Sequence, residues 1–352
     1  MLGKEAELYY ELPNGRIKCT ACARLCEIPE GKSGLCGIRG VVENKLQLFV
    51  YGRVIAGHID PIEKKPVTHY RPGTAIFSIA TTGCNWLCKY CQNHDISQRR
   101  KIEGIQMTPE QVINTAVSYG TQGIAYTYNE PSIFIEFAKD CGMEAHKKGI
   151  FNIFVSNGYD TSESVNMMSK FLDCITVDFK GSGKQEFVRQ YIGIPNSEPI
   201  FQSLKEIRDK TSIHTEITDL IVPKVGDDLE SARKLCKFIY NELGPDTPIH
   251  FLRFHPDYKM MEFDNTPIET LEKHYAIAKE EGLRYAYIGN VPGHPLEHTY
   301  CPECKSIAIQ RYGFSIGSWN LDDNNCCKNC GYPIPIIGKL TKVRKNRFAF
   351  LQ

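Results

Sequence analysis

The stretch AIFSIATTGCNWLCKYC (75–91) opens with six residues that are apolar apart from Ser78 and ends in three cysteines, Cys84, Cys88 and Cys91. A short apolar run closed by Thr-Thr-Gly reads as a buried strand followed by a loop. The loop has C-x3-C-x2-C spacing, which lets three thiolates face one centre. Three protein ligands leave a coordination position open, and an open position separates a catalytic metal site from a closed structural one. His94 stands three residues beyond Cys91 as a possible fourth ligand. Spacing alone therefore leaves a closed zinc site level with an open catalytic centre.

Strand and helix patterns alternate downstream of this loop. Apolar runs at 123–128, 152–158, 175–180, 214–223, 249–256 and 284–291 are interleaved with amphipathic stretches at 108–120, 132–149, 162–173, 197–210, 228–244 and 268–282. Ser162 and Asp228 are capping residues at two helix starts, and Gly120, Gly149, Gly244 and Gly282 punctuate four helix ends. The alternation predicts an α/β fold of right-handed βαβ units on a parallel sheet. An open doubly wound sheet is the competing architecture, but no glycine-rich dinucleotide fingerprint follows the first strand. The 219 residues from 74 to 292 fall short of the ~250 of a full eight-fold barrel, so a partial TIM-like (β/α) barrel of about six units fits better. In either architecture the chemistry belongs at the carboxyl ends of the strands.

Composition narrows the function class. The 352 residues carry 42 Lys+Arg against 41 Asp+Glu, a balance that removes the electrostatic argument for nucleic acid or an anionic membrane as main partner. The 15 cysteines are too few for a disulfide-stapled secreted scaffold, and their tight spacings suit metal ligation in a reducing compartment. The start MLGKEAELYY lacks a signal-peptide pattern, and no apolar run approaches the ~18 residues of a membrane span. A cytoplasmic protein is expected.

Two more cysteine groups flank the middle. Cys301, Cys304, Cys327 and Cys330 form C-x2-C-x22-C-x2-C, the spacing of a zinc ribbon, with Cys326 left over. Cys19, Cys22, Cys26 and Cys36 form C-x2-C-x3-C-x9-C, which fits zinc or a second iron–sulfur cluster, with zinc slightly ahead. The partition is a four-cysteine module and lead-in over 1–73, a barrel over 74–298, and a zinc-ribbon module and tail over 299–352.

GCNWLCKYCQNHDIS (83–97) resembles the cluster loop of the radical S-adenosylmethionine (SAM) superfamily. Six further stretches extend the likeness: YGRVIAGHIDPIEKKP (51–66), YTYNEPSIF (126–134), FVSNGY (154–159), VDFKG (177–181), LRFHPDYKM (252–260) and YIGNVPGHP (287–295). They resemble the radical SAM member of the AmmeMemoRadiSam group, a relative of pyruvate formate-lyase activating enzymes. The resemblance implies a 4Fe-4S cluster on Cys84, Cys88 and Cys91, with SAM chelating its unique iron. One electron from a flavodoxin- or ferredoxin-type donor would then cleave SAM to methionine and a 5'-deoxyadenosyl radical that abstracts hydrogen.

The same resemblance assigns SAM contacts. Tyr90 lies near the adenine, Asn93 in the cluster loop, and Asn129 and Glu130 at the ammonium, where relatives carry a glycine pair that is missing here. Ser156, Asn157, Asp178 and Lys180 fall where relatives contact ribose and carboxylate, with Val155 replacing an expected Asp, and His255 is a further SAM neighbour. Arg253, Asn290 and His294 are substrate candidates. Lys64 and Lys65 could close the site, although adjacent loop lysines are ordinarily solvated. Memo-type or AMMECR-type proteins are the implied partners. The alternatives are a glycyl-radical-enzyme activase and, from another class, a non-catalytic zinc-binding interaction protein.

Overall fold

A computed structural model describes residues 3–341. The tail of the C-terminal module, 342–352, lies outside them. Seven parallel strands run in strict sequence order: β2 (Ala75–Ala80), β3 (Gly123–Tyr126), β4 (Phe151–Ser156), β5 (Cys174–Lys180), β6 (His214–Ile221), β7 (Ile249–Arg253) and β8 (Ala286–Gly289). An antiparallel strand, β1 (Ala56–Pro61), pairs with β2 at one edge. A doubly wound sheet reverses its strand order at a switch point. The unbroken order here excludes that alternative and gives the singly wound progression expected of a barrel segment. In the described residues β1 and β8 do not pair, so the sheet has two edges.

Helices α1 (Pro109–Ser118), α2 (Ile135–Lys147), α3 (Ser162–Met168), α4 (Glu198–Lys210), α5 (Leu229–Phe238) and α6 (Ile268–Glu280) fill the crossovers. Their caps are local chemistry. Thr108 and Gln111 form a reciprocal capping box at α1, and Asp228 accepts from Ser231 N at α5. At α3 the cap is Thr161, one residue before the expected Ser162. Thr161 Oγ1 accepts from Ser164 N, and the Ser162 hydroxyl is drawn instead to Glu206 at 2.7 Å. The strands are buried on both faces, which is why they read as continuous apolar runs.

The flanking segments dock on this core. Short antiparallel strands with a small core of Ala6, Ile17, Ala21, Ile28, Val41 and Leu46 form the N-terminal module. The C-terminal module packs Ala308, Ile309, Leu321 and Ile334 onto Tyr285 and Tyr287 beside β8. His69 ties that junction. Pro335 O can only accept, so His69 Nδ1 donates to it (3.1 Å), and Nε2 accepts from the Tyr287 hydroxyl (2.7 Å). Burial pushes His69 down to about 3, against an unfolded value near 6.5. Because the unfolded chain binds this proton first, stability holds above pH ~6.5 and falls below it, by up to about 1.4 kcal/mol per pH unit for this one group. Thermal melts between pH 7 and 4 should show that fall, and His69→Gln should flatten it while lowering stability at pH 7.

Candidate active site

The cysteine loop leaves the carboxyl end of β2 and is fastened on all sides by backbone hydrogen bonds. Gly83 N donates to Ile96 O (3.0 Å), Leu87 N to Ile192 O (2.9 Å), Lys89 N to Tyr191 O (2.9 Å) and Lys259 N to Lys89 O (2.8 Å). Asn129, at the end of β3, is a rivet under the loop. Its Nδ2 donates to Gly83 O (2.9 Å) and Thr81 Oγ1 (3.0 Å), and its Oδ1 accepts from Thr81 N (3.3 Å). Asn93 makes the return tie, from Nδ2 to Tyr128 O at 3.0 Å. Asn129→Ala strands these buried groups and should cost about 1–3 kcal/mol in chemical denaturation. It should also lower iron retention by the reconstituted protein.

The loop carries three free, half-buried thiols, Cys84, Cys88 and Cys91. Burial raises all of them, Cys84 to about 12 and Cys88 well above the ordinary thiol value. The Ser97 hydroxyl, 3.0 Å from Cys91 Sγ, and the Lys180 ammonium oppose the rise at Cys91. Thiols so placed stay protonated until a Lewis acid takes the proton's place. Among the described residues these sulfurs are not gathered within 4.8 Å, as a single ion would require. His94 does not join them. Its Nδ1 lies 3.2 Å from Cys91 O and its ring stacks on Tyr258 at 4.4 Å, 41% exposed. Three spread thiols without a histidine fit a multi-iron cluster with an open position better than closed zinc.

The candidate residues at the neighbouring strand ends are mostly engaged with one another. Glu130 Oε1 accepts from Ser132 N (3.0 Å) and Ser156 Oγ (2.9 Å), and Oε2 from Asn157 N (2.7 Å), strapping β3 to β4. Burial raises its pKa against those hydrogen bonds. Asp160, beside it, is pushed up to about 8 by burial and by the Glu130 charge. Asp178 Oδ2 accepts from Lys180 Nζ at 3.0 Å. Burial works against the Lys180 ammonium, but Asp178 outweighs it and raises the pKa. Lys180 also faces Cys88 and Cys91. Tyr90 is buried between Phe187 and Phe254.

The later candidates sit apart from this network. His255 and Asn290 are exposed, and Arg253 Nε donates to Thr266 O at 2.9 Å. His294 accepts from Leu296 N and meets Glu272 on α6 at 3.2 Å, a capping position. A group that residue types alone did not reveal lies on β1. Lys65, expected in solvent, is 3% exposed and bonds Asp60 at 2.7 Å, where Ser78, Lys64 and the Tyr128 hydroxyl also converge. Burial lowers Lys65 to about 8 despite Asp60. The signal for it was Asp60, a carboxylate four and five residues before two lysines, which gives the ammonium an interior partner.

At the other end of the chain, Cys301 Sγ lies 3.5 Å from Cys330 Sγ, and Cys304 Sγ 3.8 Å from Cys327 Sγ. All four sulfurs fall within 4.8 Å of one another, so the group can hold one metal ion. Cys326 stands outside it.

Comparison with known proteins agrees with this geometry. The radical SAM superfamily model matches residues 78–239, which run from within β2 to the end of α5 and include the cysteine loop. The fold is shared with a radical SAM methyltransferase from Sphaerobacter thermophilus, at TM-score 0.50 and 12% identity, covering 62% of this chain and 66% of that one. Residues 78–239 thus carry a radical SAM domain, which implies SAM and a 4Fe-4S cluster. The chain belongs to one family with the uncharacterized protein MJ0808 of Methanocaldococcus jannaschii, at 41% identity over 337 residues, 95% of this chain and 99% of the relative. A second protein of that organism, MJ1632, named for glycyl-radical enzyme activation, is 20% identical over 167 residues, 47% of this chain and 62% of its own. No helix among the described residues is long and apolar enough to cross a membrane.

Proposed function

We propose that this enzyme cleaves SAM reductively at a 4Fe-4S cluster held by Cys84, Cys88 and Cys91 and uses the resulting radical to take hydrogen from a small molecule, peptide or protein. The observation that carries the reading is the three-thiol loop at the carboxyl end of the first parallel strand, with His94 turned elsewhere. The protein's part is placement. Asn129 and Asn93 fix the loop, the Glu130 strap fixes the β3 and β4 ends, and Lys180 sets a positive charge beside Cys88 and Cys91. The bound cluster supplies the one-electron chemistry, fed by a flavodoxin- or ferredoxin-type donor.

Membership of the AmmeMemoRadiSam group, with Memo-type or AMMECR-type partners in the cytoplasm, is the finer reading, supported by the motifs from 51–66 through 287–295. The relation to MJ1632 favours a second one, an activase acting on a partner protein. The absence of the glycine pair that relatives carry before the glutamate, here Glu130, counts against it. Anaerobic reconstitution tests the shared claim. The protein should become brown, and its reduced cluster should change its electron paramagnetic resonance spectrum when SAM is added. A spectrum indifferent to SAM would refute the claim.

The C-terminal four-cysteine group is proposed to bind zinc. Tetrahedral Zn–S bonds of about 2.3 Å put sulfurs about 3.8 Å apart, the spacing found there. Cys304→Ser should release about one zinc per chain on mild chelation and loosen the module while leaving the barrel's cooperative melt in place. Elemental analysis with differential scanning calorimetry checks this.

A further inference from the structure

We propose that Cys19, Cys22, Cys26 and Cys36 hold a second iron–sulfur cluster on the far side of Asn85 from the Cys84 loop. All four line one small cavity of about 10 Å³, together with Arg24, Arg39, Asn85 and Ile133. The chain carries its own control for zinc. In the C-terminal group the sulfurs are drawn within 4.8 Å of one another, but no such grouping forms among the N-terminal four. Four cysteines that line one cavity without closing to single-ion spacing suit a multi-atom cluster, whose ligand sulfurs stand farther apart than those on a single ion.

Two more observations point into the same cavity. Arg24 Nη2 is buried without a hydrogen-bond partner, and the Asn85 side chain is turned to the Cys22 thiol. Native structures rarely leave such donors unpaired, and a cluster's sulfides and thiolates are acceptors. Asn85 also joins the two cysteine groups. Its Oδ1 lies 3.8 Å from Cys84 Sγ and accepts from Asn157 Nδ2 at 2.8 Å, and its side chain faces Cys22. The module is clamped there: Arg24 Nε donates to Asn85 O (2.8 Å) and Ala23 N to Tyr159 O (2.9 Å). Gly83, in the left-handed region, lies so close that a Cβ there would come 2.5 Å from Cys36 O. The N-terminal cavity is thus one side chain from the cluster loop, where a one-electron carrier is useful.

The test removes the first site and reads the second, so it does not depend on the proposed function. The full chain carrying Cys84→Ala, Cys88→Ala and Cys91→Ala together is reconstituted anaerobically with iron and sulfide. Iron, acid-labile sulfide and zinc are then counted. About four irons and about four sulfides per chain, with a paramagnetic signal on dithionite reduction, are expected. Adding Cys26→Ser and Cys36→Ser should abolish both counts. Two zincs per chain with no sulfide, or no sulfide with any metal, would overturn the proposal. Should the triple variant fail to fold, the unaltered chain decides, with about eight irons expected and about four overturning the site.

Discussion

Cys88→Ala is expected to remove the iron of the cluster loop, about four atoms per chain, and to reduce 5'-deoxyadenosine formation to the level of a protein-free control. Cys88 is the central thiol of the three. It interacts with both Cys84 and Cys91, and Lys180 faces it from β5. The loop's shape rests on other groups, the Asn129 rivet and the backbone bonds at Leu87 and Lys89. The variant should therefore melt close to the parent apoprotein, which separates lost chemistry from lost fold. Lys180→Met should instead keep the iron and shift the cluster's reduction potential downward, because a positive charge beside a cluster favours its reduced state.

The second large effect is on stability. Arg39, in the N-terminal module, and Glu136, on α2, form a pair in which both side chains are 1% exposed. Arg39 Nη1 donates to Glu136 Oε1 at 3.0 Å, Nη2 reaches Oε2, and Nε donates to Ile133 O at 2.7 Å. Glu7 N completes the carboxylate at 3.0 Å. Arg39→Met leaves Glu136 charged and buried, which should cost about 3–5 kcal/mol in urea unfolding. Arg39→Met with Glu136→Leu should recover most of that loss. Burial raises the Glu136 pKa, but Arg39 more than offsets this and leaves it below the ordinary value. The pair's contribution is therefore complete above the unfolded carboxyl range and fades as pH falls through it. The gap between wild type and Arg39→Met should narrow on acidification, and a gap independent of pH would contradict the assignment.

Local chemistry was legible in the sequence, and long-range closure was not. The β2 boundaries, 75–80, follow from an apolar run stopped by Thr-Thr-Gly, and the C-x2-C pairs at 301–304 and 327–330 encode their turns within four residues each. The edge strand β1, with Gly57, His58 and Asp60, has no apolar run and escaped notice because pairing with β2 defines it. Lys65 looked solvated because residue type is the only guide in a loop, and its partner Asp60 lies on that unseen strand. Asn129 and Glu130 read as ligand contacts by motif, yet packing gives their polar atoms protein partners. Asn85 carried no signal at all. Its place between two cysteine groups arises only when the N-terminal module folds back onto the β2 loop.

The most direct measurement is product analysis of the reconstituted wild-type protein with SAM and dithionite under anaerobic conditions. 5'-Deoxyadenosine and methionine should accumulate in equal amounts, and both should depend on reductant and on the three loop cysteines. A fully iron-loaded protein that leaves SAM intact, or forms these products equally well without Cys84, Cys88 and Cys91, would contradict cleavage at that loop.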